Sequence, residues 1–186
     1  DLNSPLTGAD MSNTESMVQD GDNGILIDSD IIAKISQSEE LADEFGTEDN
    51  STLRIIDCEG KAIIPGFVDS HTHLLWEGDR SNEMQLRHKG LTYSDIAKSG
   101  GGIQKTVDFT RSSSIESLIK LGQRRISRAF QFGTTTMECK SGYGLTVNSE
   151  LKLLEVNQFL SEQSPMDIHS TWLGAHDVPK GTNIDN

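Results

Sequence analysis

The chain has 186 residues, 34% of them hydrophobic and 24% charged, with a net charge of −13, the composition of a globular domain or part of one rather than of a disordered segment. No apolar run approaches the ~18–20 residues of a membrane span, and the N-terminal stretch DLNSPLTGADMSNTESMVQDGDNG has neither the basic nor the apolar region of a secretory leader. The acidic excess falls within residues 1–60, and beyond them the two signs balance; nucleic-acid binding, which needs a basic surface, is not expected. Neither is a membrane partner.

The charge shift suggests a boundary near residue 60. Before it, residues 24–36 (GILIDSDIIAKIS) predict a β-hairpin turning near Asp28-Ser29-Asp30, and 52–64 (TLRIIDCEGKAII) predict a second, turning at Glu59-Gly60. The polar segment 37–51 between them suits a short helix or a loose loop. Residues 1–60 therefore read as a small β-rich flank.

From residue 61 onward the pattern alternates strand and helix. AIIPGFVDS (62–70) is an apolar strand with Pro65 near its start or at an irregularity. SSIESLIKLGQRRISRAFQFG (113–133) predicts a helix with a capping box of Ser113 and Glu116 and a stop at Gly133. TTTMECK (134–140) is rich in β-branched residues and reads as a strand that buries Cys139. NSELKLLEVNQFLSEQ (148–163) predicts a helix capped by Asn148 and ended by Pro165, and DIHSTWLGA (167–175) a further strand. The two cysteines, Cys58 and Cys139, make no disulfide framework, so a cytoplasmic location is expected.

Strands alternating with helices predict a parallel sheet, in a doubly wound fold or a (β/α)8 barrel. Both folds collect ligands at the carboxyl ends of their strands. The strands here are followed by His71-Thr72-His73, by Lys140-Ser141-Gly142-Tyr143-Gly144, and by His176. Residues i and i+2 of an extended strand point the same way. His71 and His73 therefore converge, and two imidazoles suit one divalent ion, zinc or iron. Asp69 either orients one of these rings or serves structure alone. Gly100-Gly101-Gly102 reads as a flexible loop near the mouth of the site, though such a run can also cradle an anion. His88 and His169 read as ordinary structural residues.

The stretch IPGFVDSHTH resembles the first-strand signature of the amidohydrolase superfamily, metal-dependent hydrolases that join a (β/α)8 barrel to a small β-sandwich. ECKSGYGL, GAHDVP and GGGI together make residues 55–180 similar to the imidazolonepropionases. That resemblance implies an enzyme of histidine degradation with one zinc or iron ion, held in part by His71 and His73. It implies hydrolysis of the cyclic amide C–N bond of 4-imidazolone-5-propanoate, giving N-formimidoyl-glutamate, with water activated by the metal. It further implies that Arg80 binds the substrate's carboxylate tail, that Tyr93 and Tyr143 contact substrate, and that His176 bonds the ring and stabilises charge there. Lys140, by contrast, is expected to serve structure or to support the residues that line the site, rather than to bridge metals. The family is commonly homodimeric.

A full barrel needs about 250 residues, and only three of its strands are visible here. The remaining metal ligands and the general base have no counterpart, and the chain does not begin with Met. It is therefore expected to be part of a longer enzyme and inactive by itself. The alternatives are another cyclic-amide hydrolase or deaminase of the superfamily, or a non-catalytic fragment of one.

Overall fold

The computed structural model describes residues 8–12, 18–46 and 53–182. The chain divides into two compact units, residues 1–64 and 65–186.

In the first unit a 3-10 turn spans Gly8–Ser12. Strands β1 (Asn23–Asp28) and β2 (Ile31–Gln37) then form the expected antiparallel hairpin. Asp28 pairs with Ile31 across a two-residue turn, and Ser29 takes a left-handed backbone with φ of 60°, as tight hairpin turns require. Helix α1 (Ser38–Phe45) follows directly; residues 47–51 of that polar segment, and Thr52, lie outside the described residues.

The second hairpin is only half present. Glu59 and Gly60 make the turn, both with positive φ, and Lys61 N–H bonds the Cys58 carbonyl at 2.9 Å. Residues 53–66 nevertheless contain no strand. Ile55, Ile56, Ile63 and Ile64 on its arms are all exposed, so the arms bury nothing that would hold a ladder together.

The second unit is a three-stranded parallel sheet in the order β3 (Phe67–Thr72), β4 (Thr134–Lys140), β5 (Asp167–Thr171). Strand β3 starts at Phe67, later than the sequence pattern suggests; Pro65, which cannot donate to a ladder, precedes it. Between β3 and β4 run α2 (Asn82–His88), α3 (Tyr93–Lys98), α4 (Gly102–Ser112) and α5 (Ile115–Gln131). Helix α6 (Val147–Gln163) connects β4 to β5.

The core lies between one face of the sheet and helices α5 and α6. Met137, Cys139 and Ile168 from the strands meet Leu118 and Ile126 of α5 and Leu153, Val156 and Leu160 of α6. Leu153, Val156 and Leu160 recur three and four apart, and Leu118, Gly122 and Ile126 four apart, so each helix presents one buried stripe. Truncating a fully buried leucine such as Leu118 to alanine costs about 2–5 kcal/mol in such settings. Alternation along β4 turns Glu138 and Lys140 away from buried Met137 and Cys139, leaving the opposite face polar.

Helix boundaries differ from the sequence pattern in their caps. Ser114, not Ser113, caps α5 by accepting from Ser117 N–H at 3.1 Å. Thr146, not Asn148, caps α6. Ser114 and Thr146 both have the extended backbone that a cap needs, so the α5 cap falls one residue later and the α6 cap two residues earlier than the pattern suggests. Among the described residues no helix is long and apolar enough to cross a membrane.

Candidate functional site

The chain's expected functional residues gather at the carboxyl ends of the three parallel strands. His71 lies within β3 and His73 just beyond it, their ring centroids 6.1 Å apart. His73 stacks on His176, which follows β5, at 4.5 Å and 27° between planes. The Tyr143 ring, from the loop after β4, meets His73 edge-on at 5.0 Å and His176 at 5.2 Å. Three loops far apart in sequence therefore share one aromatic cluster.

Backbone contacts hold these loops. The Ser141 N–H bonds the Thr171 carbonyl at 2.9 Å, and the Ser141 hydroxyl accepts from Leu173 N–H at 3.0 Å, which ties the end of β4 to the end of β5. His176 Nδ1 lies 2.9 Å from the Gly142 carbonyl oxygen. Gly142 has φ of 116°, and a Cβ there would come within 2.9 Å of His176; no larger residue fits between the loop and that ring.

The same loop folds around a buried carboxylate that the sequence pattern does not reveal. Glu150, 2% exposed, accepts from the backbone N–H groups of Gly142, Gly144 and Leu145 at 2.7–2.8 Å. Its position in the first turn of α6 is the signal available in sequence, since acidic residues favour helix N-termini. Glu150 thus fixes the backbone on both sides of Tyr143.

Electrostatics favour an uncharged His73. Burial, then the neighbouring His176, holds His73 below its ordinary pKa, so at neutral pH its ring is in the uncharged form that ligates metals. His73 Nδ1 is buried and makes no hydrogen bond. Burial likewise raises the Tyr143 pKa, keeping the phenol protonated as a donor. Asp69 accepts from the His71 backbone N–H at 3.3 Å rather than from its ring. Lys140 pairs with Glu138, which also accepts from the Thr171 hydroxyl at 2.6 Å; Lys140 is thereby engaged on the polar sheet face. Among the described residues no group of three or more His, Cys, Asp or Glu is arranged to hold a metal ion, so His71 and His73 stand as a pair.

Arg80 and Tyr93 come from the helical segment after β3. Arg80 donates from Nε and Nη2 to both Glu83 oxygens at 3.0 and 2.8 Å. That carboxylate raises its pKa, with smaller contributions from Tyr93 and Tyr143. Tyr93 opens α3, whose N-terminus carries a full capping box of Thr92 and Asp95. Gly101-Gly102 is not a loose loop: Gly101 caps α4 and Gly102 begins it. Gln104 of α4 donates to Asp177 and to the Val178 carbonyl, both at 3.0 Å, joining this helix to the loop that carries His176. His88 ends α2, and His169 lies on β5 opposite Glu138, neither in the cluster.

Function gathered at the carboxyl ends of parallel strands is how α/β enzymes place their sites, and this chain is built on that plan. No family model matches it. It is 42% identical over 177 residues to the imidazolonepropionase of Brevibacillus brevis, covering 95% of this chain and 41% of that protein. It is 41% identical over 181 residues to the probable imidazolonepropionase of Dictyostelium discoideum, covering 96% and 41%. To the imidazolonepropionase of Bacillus cytotoxicus it is 50% identical over 126 residues, covering 68% and 30%. The chain belongs to the imidazolonepropionase family. It spans less than half the length of these curated relatives, and with the first two the likeness extends into the acidic flank, beyond residues 55–180.

Proposed function

We propose that the complete protein carrying this chain hydrolyses the ring C–N bond of 4-imidazolone-5-propanoate to give N-formimidoyl-glutamate, a step of histidine degradation. The observation that carries this reading is the convergence of His73, Tyr143 and His176 in a chain that matches imidazolonepropionases along 95% of its length.

In this reading His71 and His73 hold one zinc or iron ion together with ligands from outside this chain. The fit rests on the uncharged state favoured at His73 and on its unpartnered buried nitrogen. When bound, such an ion supplies Lewis acidity that lowers the pKa of water towards roughly 7. Arg80 holds the propanoate carboxylate. With Nε and Nη2 turned to Glu83, its end-on edge, Nη1 and the second N–H of Nη2, is left for a paired hydrogen bond to that carboxylate. Tyr143, kept protonated by burial, donates to the substrate. His176, with Nδ1 on the Gly142 carbonyl, has Nε2 for the imidazolone ring and steadies charge developing there. Tyr93 lines the carboxylate end beside Arg80.

The larger architecture follows from the same reading. Three parallel strands in sequential order, helices on one face and polar groups on the other, suit the opening third of a (β/α)8 barrel. Ile27, Ile31 and Ile32, exposed on the hairpin, suit a β-sandwich completed by strands from elsewhere in the protein.

Incubating the complete protein with 4-imidazolone-5-propanoate tests the assignment. The product should be heavier by one water in mass spectrometry. Unchanged substrate in the presence of zinc and of iron would contradict it.

A further inference from the structure

Glu83 is 6% exposed, an unusual place for a carboxylate near a ligand site. It does two things at once. Both oxygens receive the Arg80 fork, and Oε1 also accepts the Gly102 N–H, at the N-terminus of α4, at 2.8 Å. The packing around it is tight: a Cβ on Gly101 would lie 3.0 Å from Glu83 Oε1 and 2.7 Å from Ile96 Cγ2. The Tyr93 hydroxyl reaches the same turn, 3.4 Å from where a Gly102 Cβ would stand. Of the glycine run only the Gly102 N–H bonds an anion, and that anion is the protein's own Glu83.

We propose that Glu83 is the positioning residue of the carboxylate subsite, fixing the side edge of Arg80 against the α4 N-terminus so that only the end-on edge is offered to the ligand. The physical reason lies in the arginine side chain, which has several rotatable bonds and loses considerable freedom when a ligand immobilises it. A guanidinium already held by two hydrogen bonds has lost that freedom before the ligand arrives. Glu83 touches no substrate atom in this scheme and acts through Arg80. It also partly neutralises the arginine, which by itself weakens the pull on a carboxylate, so the preference comes from the held geometry of the fork.

This inference rests on the reading of Arg80 as the carboxylate-binding residue. Two probes test it by calorimetry on the complete protein: imidazole-4-propanoate, and 4-ethylimidazole, which lacks the carboxylate. The wild type should prefer the first. Glu83→Gln should cut that preference by roughly tenfold, in line with the loss of charged hydrogen bonds, while leaving 4-ethylimidazole affinity unchanged. In an Arg80→Lys background, Glu83→Gln should have no further effect, and Glu83→Asp should restore part of the preference in the wild-type background. Equal weakening of both probes would mean that Glu83 serves folding alone, and an unchanged or additive effect would mean that it does not act through Arg80; either overturns the proposal. Failure of the parent assignment reads out separately, as wild-type protein that binds imidazole-4-propanoate but leaves 4-imidazolone-5-propanoate intact.

Discussion

His73 and His176 stack at 4.5 Å between ring centroids, and this contact joins the end of β3 to the loop after β5. The cluster exists because three strands end at one edge of a parallel sheet. His73 stays uncharged there through burial and the nearby His176. Replacing His71 or His73 by alanine in the complete protein should lower the metal retained after dialysis by an order of magnitude or more, since catalytic sites rely on about three protein ligands. Atomic emission measures this directly, and wild-type retention would place the ligands elsewhere.

Arg80→Lys removes the fork while keeping the charge. Substrate binding should weaken by about 1.5–3 kcal/mol, the range for hydrogen bonds to charged groups, so KM should rise between roughly tenfold and a little over a hundredfold. The turnover number should change much less. An unchanged KM would show that Arg80 does not hold the carboxylate.

Glu150 satisfies three backbone N–H groups in the interior. Glu150→Gln leaves an amide NH2 facing donors, and the protein should lose about 2–3 kcal/mol of stability by denaturant unfolding. A loss below about 0.5 kcal/mol, the level of an ordinary surface substitution, would mean that the loop is held by other contacts.

The Glu83 carboxyl is held below the usual carboxylate range, first by its hydrogen bonds from Arg80 and then by the Gly102 N–H. A depressed folded-state pKa adds stability above the unfolded-state pKa, and this is lost as pH falls through the folded value. The difference in unfolding free energy between wild type and Glu83→Gln should therefore be full near pH 7 and shrink once the pH drops below about 4. A gap that holds constant or widens on acidification would contradict the ion pair.

Burial pushes the Cys139 thiol up to about 11, against a smaller opposing effect from the Thr72 hydroxyl. The side chain is fully buried among Met137, Leu153 and Leu160, so it packs as a small apolar group. Native protein at about pH 8 should leave Cys139 unmodified by an alkylating reagent until it is denatured, as peptide mass mapping would show. Rapid native labelling would contradict its place in the core.

The strands and the two long helices were legible because their periodicity is strong. TTTMECK is β4 residue for residue, and the apolar stripe of α5 appears at helical spacing. The short helices α2, α3 and α4 were not. They are polar and brief, and α4 begins inside a glycine run that reads as loop because Glu83, distant in sequence from Gly102, supplies the missing acceptor. The hairpin expected at 52–64 failed for the converse reason: its alternating isoleucines imply a ladder, yet they bury nothing in this chain. The placement of His71, His73, Tyr143 and His176 at strand ends could be read from the sequence. Glu83 and Glu150 could not, since a buried carboxylate looks like a surface one until the N–H groups around it are known.

Turnover of 4-imidazolone-5-propanoate by the complete protein, before and after chelation, tests the central claim most directly. The account predicts ring opening that a chelator abolishes and that zinc or iron restores, with His73→Ala inactive under all three conditions. A metal-loaded wild-type protein that leaves the ring intact, or one that opens it equally well without His73, would contradict it.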